Sequence, residues 1–331
     1  MKILFVLNLR YNKSGITEQI LFLKDRLECE SFNVKLVSTF GNIFERIKGV
    51  INTFRYANES DLIIGVGCSY FGFFPVFIAA MAAFFLNKKI LFNFHGGQAE
   101  RFFDKYNYFV KHIFNNKKII VASDYLENVF KSYKYDVVKI NNIFNFDSFP
   151  KNSGEFKWNK NILWARSFEE LYQPELALEV AKILTEKYDY KFYFFGDGSS
   201  FEKLKNKYES SNIIFGGLIE RKVLLDEYQK FSILLNTTLN DNIPNTIFEA
   251  GFYNLLVVSS RVGGIATTFG SNEVLFVEKN NIEAYVNTIL TAYDEKQKYD
   301  IVRENLNKKI INYNWENVKD KWKDVLSLYE K

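Results

Sequence analysis

The sequence predicts an α/β protein built from two doubly wound domains. Short apolar runs alternate with amphipathic stretches along almost the whole chain, a pattern typical of parallel strands joined by crossover helices. The alternation is interrupted once, at 145–158, where Pro150, Ser153 and Gly154 fall close together. The 331 residues are enough for two separate cores, so we expect one domain on each side of the interruption.

The first series of elements occupies residues 1–150. Its opening run, Met1–Leu7, carries one positive charge and a short apolar stretch, which predicts a buried first strand and not a signal peptide. We expect strands at 2–8, 34–38, 61–66, 89–94, 118–122 and 136–141, with helices between them, for example at 16–30 and 123–133.

Residues 62–86 carry no charge, and their length alone would suit a transmembrane helix. However, Gly65, Gly67, Gly72 and Pro75 interrupt the segment, and its first part is β-branched whereas its second part is rich in alanine. We therefore expect a buried strand, a tight turn and a buried helix, with a membrane anchor as the alternative.

The second series begins after the interruption and ends in a helical tail. We expect strands at 160–166, 190–195, 213–216, 231–236 and 255–259, helices at 174–187, 199–209, 221–230 and 245–253, and helix throughout 281–330. The expected domains are 1–150 and 151–310, with 311–331 forming a helix that packs back on the N-terminal domain. Ligands of doubly wound sheets bind outside the carboxyl ends of the strands, so we look for the site in the loops that follow strands, facing a cleft between the domains.

Composition restricts the class of ligand. A net charge of +4 is too small to indicate a nucleic-acid-binding protein, but it suits an anionic ligand or a weak contact with a membrane surface. Cys29 and Cys68 are far apart, and the chain has only two histidines, so we expect no disulfide framework and no metal site. A reducing compartment is the expected location.

The segment 240–251, NDNIPNTIFEAG, is the most informative stretch for function. Asp241 precedes a turn and Glu249 lies inside the following predicted helix, so both carboxylates can face one bound molecule. Carboxylates in that position can accept hydrogen bonds from sugar or ribose hydroxyls. The alternative is that Asp241 only caps the helix and that Glu249 is a solvated helix residue.

The helix predicted within this segment begins near Pro244, with Asn240 or Asn242 as its N-cap. Its first amides, at Asn245 and Thr246, would then form a site suited to phosphate, because the N-terminus of a helix favours negative charge.

The pattern around this helix resembles the signature of glycosyltransferase family 4, the glycosyl transferases group 1. The matching residues are Asp241, Pro244, Glu249-Ala250-Gly251, the strand Leu256-Val257-Val258-Ser259 and Val262-Gly263-Gly264. Members of this family have the GT-B fold of two Rossmann-like domains, retain the anomeric configuration and use nucleotide-diphosphate sugars. Their motif is Glu-x7-Glu, so Asp241 replaces the acid that contacts the transferred sugar, and Glu249 matches the acid that contacts the donor ribose.

Other stretches resemble the family in the same order along the chain. The strand Ile162–Arg166 is similar to one that ends in a diphosphate-binding arginine, but the lysine that usually follows is absent from 167–174. Gly196, within Phe-Gly-Asp-Gly, resembles the family's Gly-x-Gly turn. Gly217 resembles a position near the nucleotide base.

The resemblance in the first half of the chain is thinner. His95, in Phe-His-Gly-Gly, is similar to the active-site histidine that hydrogen-bonds the donor sugar, with a structural turn residue as the alternative. His112 is expected to be an ordinary helix residue. Gly15 resembles the glycine-containing loop after the first strand, and Asn142 resembles part of the family's domain junction.

The resemblance implies a retaining, metal-independent glycosyltransferase that needs no cofactor beyond its nucleotide-sugar donor substrate. It assigns catalysis to His95, Arg166 and Asp241, and donor binding to Gly15, Arg166, Gly196, Gly217, Asn245, Thr246 and Glu249. It implies a glycan or lipid-linked acceptor, a role in cell-surface polysaccharide assembly, and a cytoplasmic location with contact at the inner face of the membrane.

Two further functions stay open at this point. The change to Asp241 and the missing lysine are compatible with a catalytically degenerate protein that only binds a nucleotide sugar. A nucleotide-sugar 2-epimerase shares the fold, although it would need more acids and histidines than His95 alone provides.

Overall fold

The computed structural model describes residues 1–10, 15–150 and 156–330, which form two compact units. Unit 1 comprises Met1–Asn145 and Tyr313–Lys331, and unit 2 comprises Phe146–Asn312. Ser153 and Gly154, which mark the expected interruption, lie outside the described residues.

Unit 1 is a six-stranded parallel sheet with helices packed on it. Its strands are β1 (Lys2–Leu7), β2 (Asn33–Ser38), β3 (Leu62–Gly67), β4 (Lys89–Phe94), β5 (Lys118–Val121) and β6 (Asp136–Lys139). Its first helices are α1 (Gly15–Cys29), α2 (Ile43–Asn58), α3 (Phe74–Phe85), α4 (Ala99–Phe114) and α5 (Asp124–Ser132). The strand order is β2-β1-β3-β4-β5-β6. The inner strands are almost continuously apolar because both faces of the sheet are covered.

The uncharged segment 62–86 folds as predicted into β3, a short 3-10 turn at Tyr70–Phe73 and α3. Gly67 is required at the end of β3, since a Cβ there would lie 2.5 Å from the carbonyl oxygen of Gly72. Among the residues that the structure describes, no helix has both the length and the hydropathy needed to cross a membrane.

Unit 2 is a second parallel sheet, also of six strands. Its strands are β7 (Asn161–Ala165), β8 (Lys191–Phe195), β9 (Ile213–Gly217), β10 (Ile233–Asn236), β11 (Leu256–Ser260) and β12 (Leu275–Val277). Its helices are α6 (Pro174–Lys187), α7 (Phe201–Tyr208), α8 (Arg221–Glu227), α9 (Asn245–Phe252), α10 (Gly263–Thr268), α11 (Ile282–Asp294) and α12 (Lys296–Ile310). The order β12-β11-β10-β7-β8-β9 is that of a dinucleotide-binding sheet, and its strand order reverses between β7 and β10. The predicted α/β class with two doubly wound sheets is confirmed.

The prediction of helix throughout 281–330 is wrong. Helix α12 ends at Ile310, residues 311–318 form turns, and the last helix, α13, spans Lys319–Ser327. The turns carry the chain out of unit 2 and place Trp315 and Trp322 in the unit 1 core. Burial of these large side chains stabilises the break more than continued helical hydrogen bonding would.

Candidate functional site

Arg166 and Asp241 lie at the carboxyl ends of two neighbouring strands of unit 2. Arg166 directly follows β7, and Asp241 lies in the loop after β10. The Nη2 atom of Arg166 contacts the Oδ2 atom of Asp241, and the two side chains are only 12% and 20% exposed. The ion pair therefore spans the point where the strand order reverses, which is where doubly wound sheets bind their ligands.

The guanidinium of Arg166 is buried, and its face lies 4.1 Å from the ring centroid of Tyr172. Burial lowers the pKa of Arg166, but the Asp241 carboxylate and the Tyr172 side chain outweigh that effect and raise it. Its Nε atom is buried and has no hydrogen-bond partner among the described residues. The site thus holds a permanent positive charge with one unused donor.

The loop that carries Asp241 is held by backbone contacts. Its Oδ1 accepts a hydrogen bond of 2.8 Å from the Asn242 amide, and its carbonyl oxygen accepts one of 3.0 Å from the Gly264 amide. Gly263 has φ +47°, and a Cβ there would lie 2.1 Å from the Asp241 carbonyl oxygen. Only glycine allows this close approach, which explains the Gly-Gly pair at the start of α10.

Helix α9 begins at Asn245, and Pro244 is its N-cap. No side chain caps the helix, so the expectation that Asn240 or Asn242 caps it is wrong, since the fixed φ of Pro244 sets the helix entry instead. The Thr246 hydroxyl in the first turn is buried without a partner among the described residues. The first N–H groups of a helix lack intrahelical partners, so this turn presents donors suited to an anion.

Glu249 lies inside α9 and is 3% exposed, so the alternative of a solvated helix residue is wrong. Its Oε1 accepts a hydrogen bond of 3.0 Å from Arg221 Nε, and Arg221 Nη2 also lies 3.0 Å from Oε1. Its Oε2 accepts a hydrogen bond of 2.8 Å from the Tyr228 hydroxyl. A carboxylate offers about four lone-pair positions, so one further hydrogen bond to Oε2 is available.

Arg221 and Tyr228 are functional candidates that sequence reasoning missed. Burial, followed by the Glu249 carboxylate, raises the pKa of Tyr228 well above its usual value, so it remains a donor. Tyr228 also interacts electrostatically with Arg166, which links the Glu249 cluster to the ion pair. The sequence feature that could have indicated this cluster is the position of Arg221 at the start of α8. A positive charge is unfavourable there unless an acid compensates it.

Gly196 and Gly217 tie the ends of three neighbouring strands together. The Gly196 amide donates a hydrogen bond of 2.8 Å to the Gly217 carbonyl. Gly196 has φ +136°, and a Cβ there would lie 1.9 Å from the carbonyl oxygen of Arg166. Gly217 has φ +65°, and a Cβ there would lie 3.9 Å from Phe201 Cζ, an ordinary contact. The Gly196 turn therefore supports the backbone that carries Arg166, whereas at Gly217 it is the backbone conformation and not close packing that favours glycine.

In unit 1, His95 directly follows β4, and its amide donates a hydrogen bond of 2.9 Å to the Gly67 carbonyl. Its Nε2 atom is buried without a partner among the described residues, and burial lowers the pKa of His95 to about 4. The imidazole is therefore neutral at physiological pH. A cavity of ≈ 20 Å³ beside it is lined by apolar side chains and by polar ones that include Asn93 and Asn142.

The Ser69 hydroxyl, after β3, is another buried group without a partner in the described part of unit 1. It belongs to the same strand-end region, since a Cβ on Gly96 would lie 2.9 Å from the Ser69 amide nitrogen. Gly15 is the first residue of α1 and not a loop residue. His95 and Gly15 thus belong to unit 1, whereas all the other predicted site residues belong to unit 2.

Residues 159–295 match the family of glycosyl transferases group 1. The matched segment lies within unit 2. It contains Arg166, Gly196, Gly217, Asp241, Asn245, Thr246 and Glu249, together with Arg221 and Tyr228. No curated protein is significantly similar to this chain in sequence.

Several solved structures are similar to the whole chain. Sucrose-phosphate synthase from Thermosynechococcus elongatus has a TM-score of 0.80 at 13% identity, covering 99% of this chain and 98% of its own. Anabaena HepE in complex with UDP-glucose has a TM-score of 0.77 at 14% identity, covering 99% of both chains. A glycosyltransferase from Rickettsia africae has a TM-score of 0.75 at 17% identity, covering 100% and 98%. At such low identities the similarity shows the fold, which is GT-B.

Proposed function

We propose that this protein is a retaining, metal-independent glycosyltransferase that moves a sugar from a nucleotide-diphosphate sugar to a glycan or lipid-linked acceptor. We place it in the cytoplasm, at the inner face of the membrane, in the assembly of a cell-surface polysaccharide. UDP-sugars are the first donors to test, because HepE was solved with UDP-glucose.

One observation carries the proposal. In the unit 2 segments that carry the ion pair and the start of α9, three buried polar atoms have no hydrogen-bond partner among the described residues: Arg166 Nε, Asn240 Oδ1 and Thr246 Oγ1. Buried polar groups are nearly always paired, since leaving one unpaired costs about 1–3 kcal/mol. A bound diphosphate would accept from Arg166 and Thr246, and a hydroxyl of the donor would donate to Asn240.

The chemistry follows from charge development in the donor. The bond between the anomeric carbon and the leaving phosphate oxygen breaks, its electron pair stays on the phosphate, and positive charge develops on the sugar. Arg166 and the first turn of α9 stabilise the departing diphosphate. The acceptor hydroxyl attacks the anomeric carbon on the face the phosphate leaves, and its proton passes to that phosphate oxygen.

The carboxylates hold the donor in place. Asp241 accepts from a hydroxyl of the transferred sugar, and Glu249 uses its remaining position on Oε2 for a ribose hydroxyl. His95 is neutral, so it contributes to sugar binding as a hydrogen-bonding group and not as a cation.

The test is a thermal-shift screen of UDP-, GDP- and ADP-sugars, followed by an assay of the selected donor with and without EDTA. A glycosyltransferase will release nucleoside diphosphate and form product whose anomeric linkage matches the donor, with EDTA having no effect. Binding without any release identifies the degenerate protein, and a changed sugar epimer identifies the 2-epimerase. Stabilisation by none of the sugars, or loss of activity with EDTA, contradicts the proposal.

A further inference from the structure

Helix α2 of unit 1 packs on the protein through its small residues. Its buried positions are Gly49, Thr53 and Ala57. Gly49 approaches the end of β2 so closely that a Cβ would lie 2.2 Å from the Ser38 carbonyl oxygen. A surface helix of a globular protein ordinarily turns its large apolar side chains toward the core, but α2 does so only in part, with Phe54 and Tyr56 packed partly buried against the unit 1 core.

Four other large apolar side chains of α2 are at least half exposed on one side of the helix: Ile43 at 64%, Phe44 at 79%, Ile47 at 50% and Ile51 at 61%. At about 100° per residue, these four positions fall within an arc of about 100°. Such a continuous exposed apolar stripe marks an interaction surface.

The same arrangement continues at the end of α3. This helix buries Ala79, Ala82 and Ala83, whereas Phe84 and Phe85 are 79% and 63% exposed. The two helices pack against each other, and the ring centroids of Phe54 in α2 and Phe85 lie 6.5 Å apart. The exposed side chains of the two helices therefore extend one apolar surface.

Positive charge flanks this surface on α2. Lys48 and Arg55 fall on the helix within about 40° of the edge of the apolar stripe. The only acid of α2 is Glu45, and its carboxylate accepts a hydrogen bond of 2.7 Å from the Asn42 amide in a capping box. The helix thus presents bulky apolar groups beside unopposed cations, which is the pattern of helices that lie in a lipid headgroup interface.

We propose that the apolar face of α2 and the end of α3 docks unit 1 onto an anionic lipid bilayer. The apolar side chains would enter the boundary between headgroups and acyl chains, while Lys48 and Arg55 would contact anionic headgroups. A second copy of this chain fits less well, because its α2 offers the same cations and one acid, Glu45, which is engaged in the capping box. The inference rests on the membrane location given in the proposed function but needs no sugar transfer, so failure of vesicle binding would leave the donor site and the transfer reaction standing.

The test is co-sedimentation of the full-length protein with vesicles of equal parts phosphatidylcholine and phosphatidylglycerol, compared with phosphatidylcholine alone. Wild-type protein should bind the anionic vesicles, and added salt should weaken binding. The double variant Ile47→Ser/Ile51→Ser should lose roughly tenfold or more of that binding, since two apolar side chains no longer insert. Lys48→Glu/Arg55→Glu should lose the preference for phosphatidylglycerol.

The matched control is Ile301→Ser/Leu328→Ser, because both side chains are 62% exposed and lie outside α2 and α3. It should bind like the wild type. All the substituted side chains are exposed, so melting temperatures should agree with the wild type. Wild-type protein that stays in the supernatant, or equal binding by the Ile47→Ser/Ile51→Ser variant, overturns the proposal. So does a wild-type dimer in solution that this variant dissociates, which would make the face a protein interface.

Discussion

The guanidinium of Arg166 and the carboxylate of Asp241 form a buried ion pair across the point where the unit 2 strand order reverses. In the proposed function these two groups bind different parts of the donor, the diphosphate and the sugar. The ion pair therefore has to open or share its charge when the donor binds. Residues 167–174 contain no lysine, so Arg166 is the one cation that the family resemblance assigns to the phosphates, and its charge is shared with Asp241.

Asp241→Asn should separate donor binding from transfer. The variant keeps the shape of the side chain but removes the charge that competes with phosphate for Arg166, so affinity for the bare nucleoside diphosphate should rise by about threefold to tenfold. Transfer should fall by about a hundredfold, because the amide holds the sugar less firmly. Calorimetric titration and initial rates measure the two effects.

The control for this variant is Asp300→Asn, which removes the acid of the Arg303 ion pair in α12. It should leave both quantities unchanged. Weaker diphosphate binding by Asp241→Asn would show that the carboxylate supports phosphate binding and does not compete with it.

Gly196→Ala and Gly217→Ala form a matched pair that separates backbone strain from close packing. Both glycines have positive φ, which costs an alanine about 1–2 kcal/mol. At Gly196 the added methyl also meets the Arg166 carbonyl oxygen, so we expect an additional loss of about 2 kcal/mol of stability and weaker donor binding. Urea unfolding measures the difference, and equal losses for the two variants would contradict this account of the Gly196 turn.

Tyr228→Phe tests whether Glu249 is positioned by its partners. The variant leaves Oε2 of the buried Glu249 without its donor, which should cost about 1–3 kcal/mol of stability. The released oxygen can rotate away from the ribose, so the KM for the donor should rise more than kcat falls. Tyr285→Phe is the control, since this buried hydroxyl donates a long bond of 3.4 Å to the Asn236 carbonyl and does not contact Glu249. A Tyr228→Phe enzyme with an unchanged KM would contradict a positioning role.

The low pKa of His95, about 4, makes stability depend on pH. Between about pH 6.5 and 4 the unfolded chain binds a proton at this site and the folded chain does not, so the free energy of unfolding falls as the pH falls. In the His95→Asn variant, the loss of unfolding free energy on acidification should be smaller than in the wild type by about 2–3 kcal/mol. This figure allows for the partial exposure of the side chain. Urea unfolding at about pH 7 and pH 4.5 measures it.

His112→Asn provides the control, because it removes an exposed histidine from α4 of the same unit. If the His95→Asn variant loses as much stability in acid as the wild type does, the imidazole is not held neutral by burial.

The fold was largely predictable because it depends on the spacing of the apolar residues and on the length of each element, and both can be read from the sequence. Every strand expected from an apolar run is present, but the three-residue β12 was missed, since Leu275–Val277 is too short for a recognisable pattern. The turns at 311–318 were also missed, although a separate helix was expected within 311–331. They depend on where Trp315 and Trp322 are buried, which is a tertiary effect that local helix propensity does not contain.

The candidate site was only partly predictable. Asp241 and Glu249 could be singled out because both lie in one short loop and helix. Arg221 and Tyr228 could not, because they meet Glu249 from 28 and 21 residues away through folding of the chain. For the same reason the pairing of Arg166 with Asp241, which are 75 residues apart, could not be predicted.

The most direct test of the central claim is the affinity of Arg166→Ala for the nucleoside diphosphate that the donor screen selects, measured by calorimetry beside Arg303→Ala. Both variants remove one arginine of an ion pair in unit 2, with side chains that are 12% and 13% exposed. We predict that Arg166→Ala weakens binding by about tenfold to a hundredfold and that Arg303→Ala binds like the wild type. Equal affinities for the two variants would contradict a donor site at the Arg166–Asp241 pair.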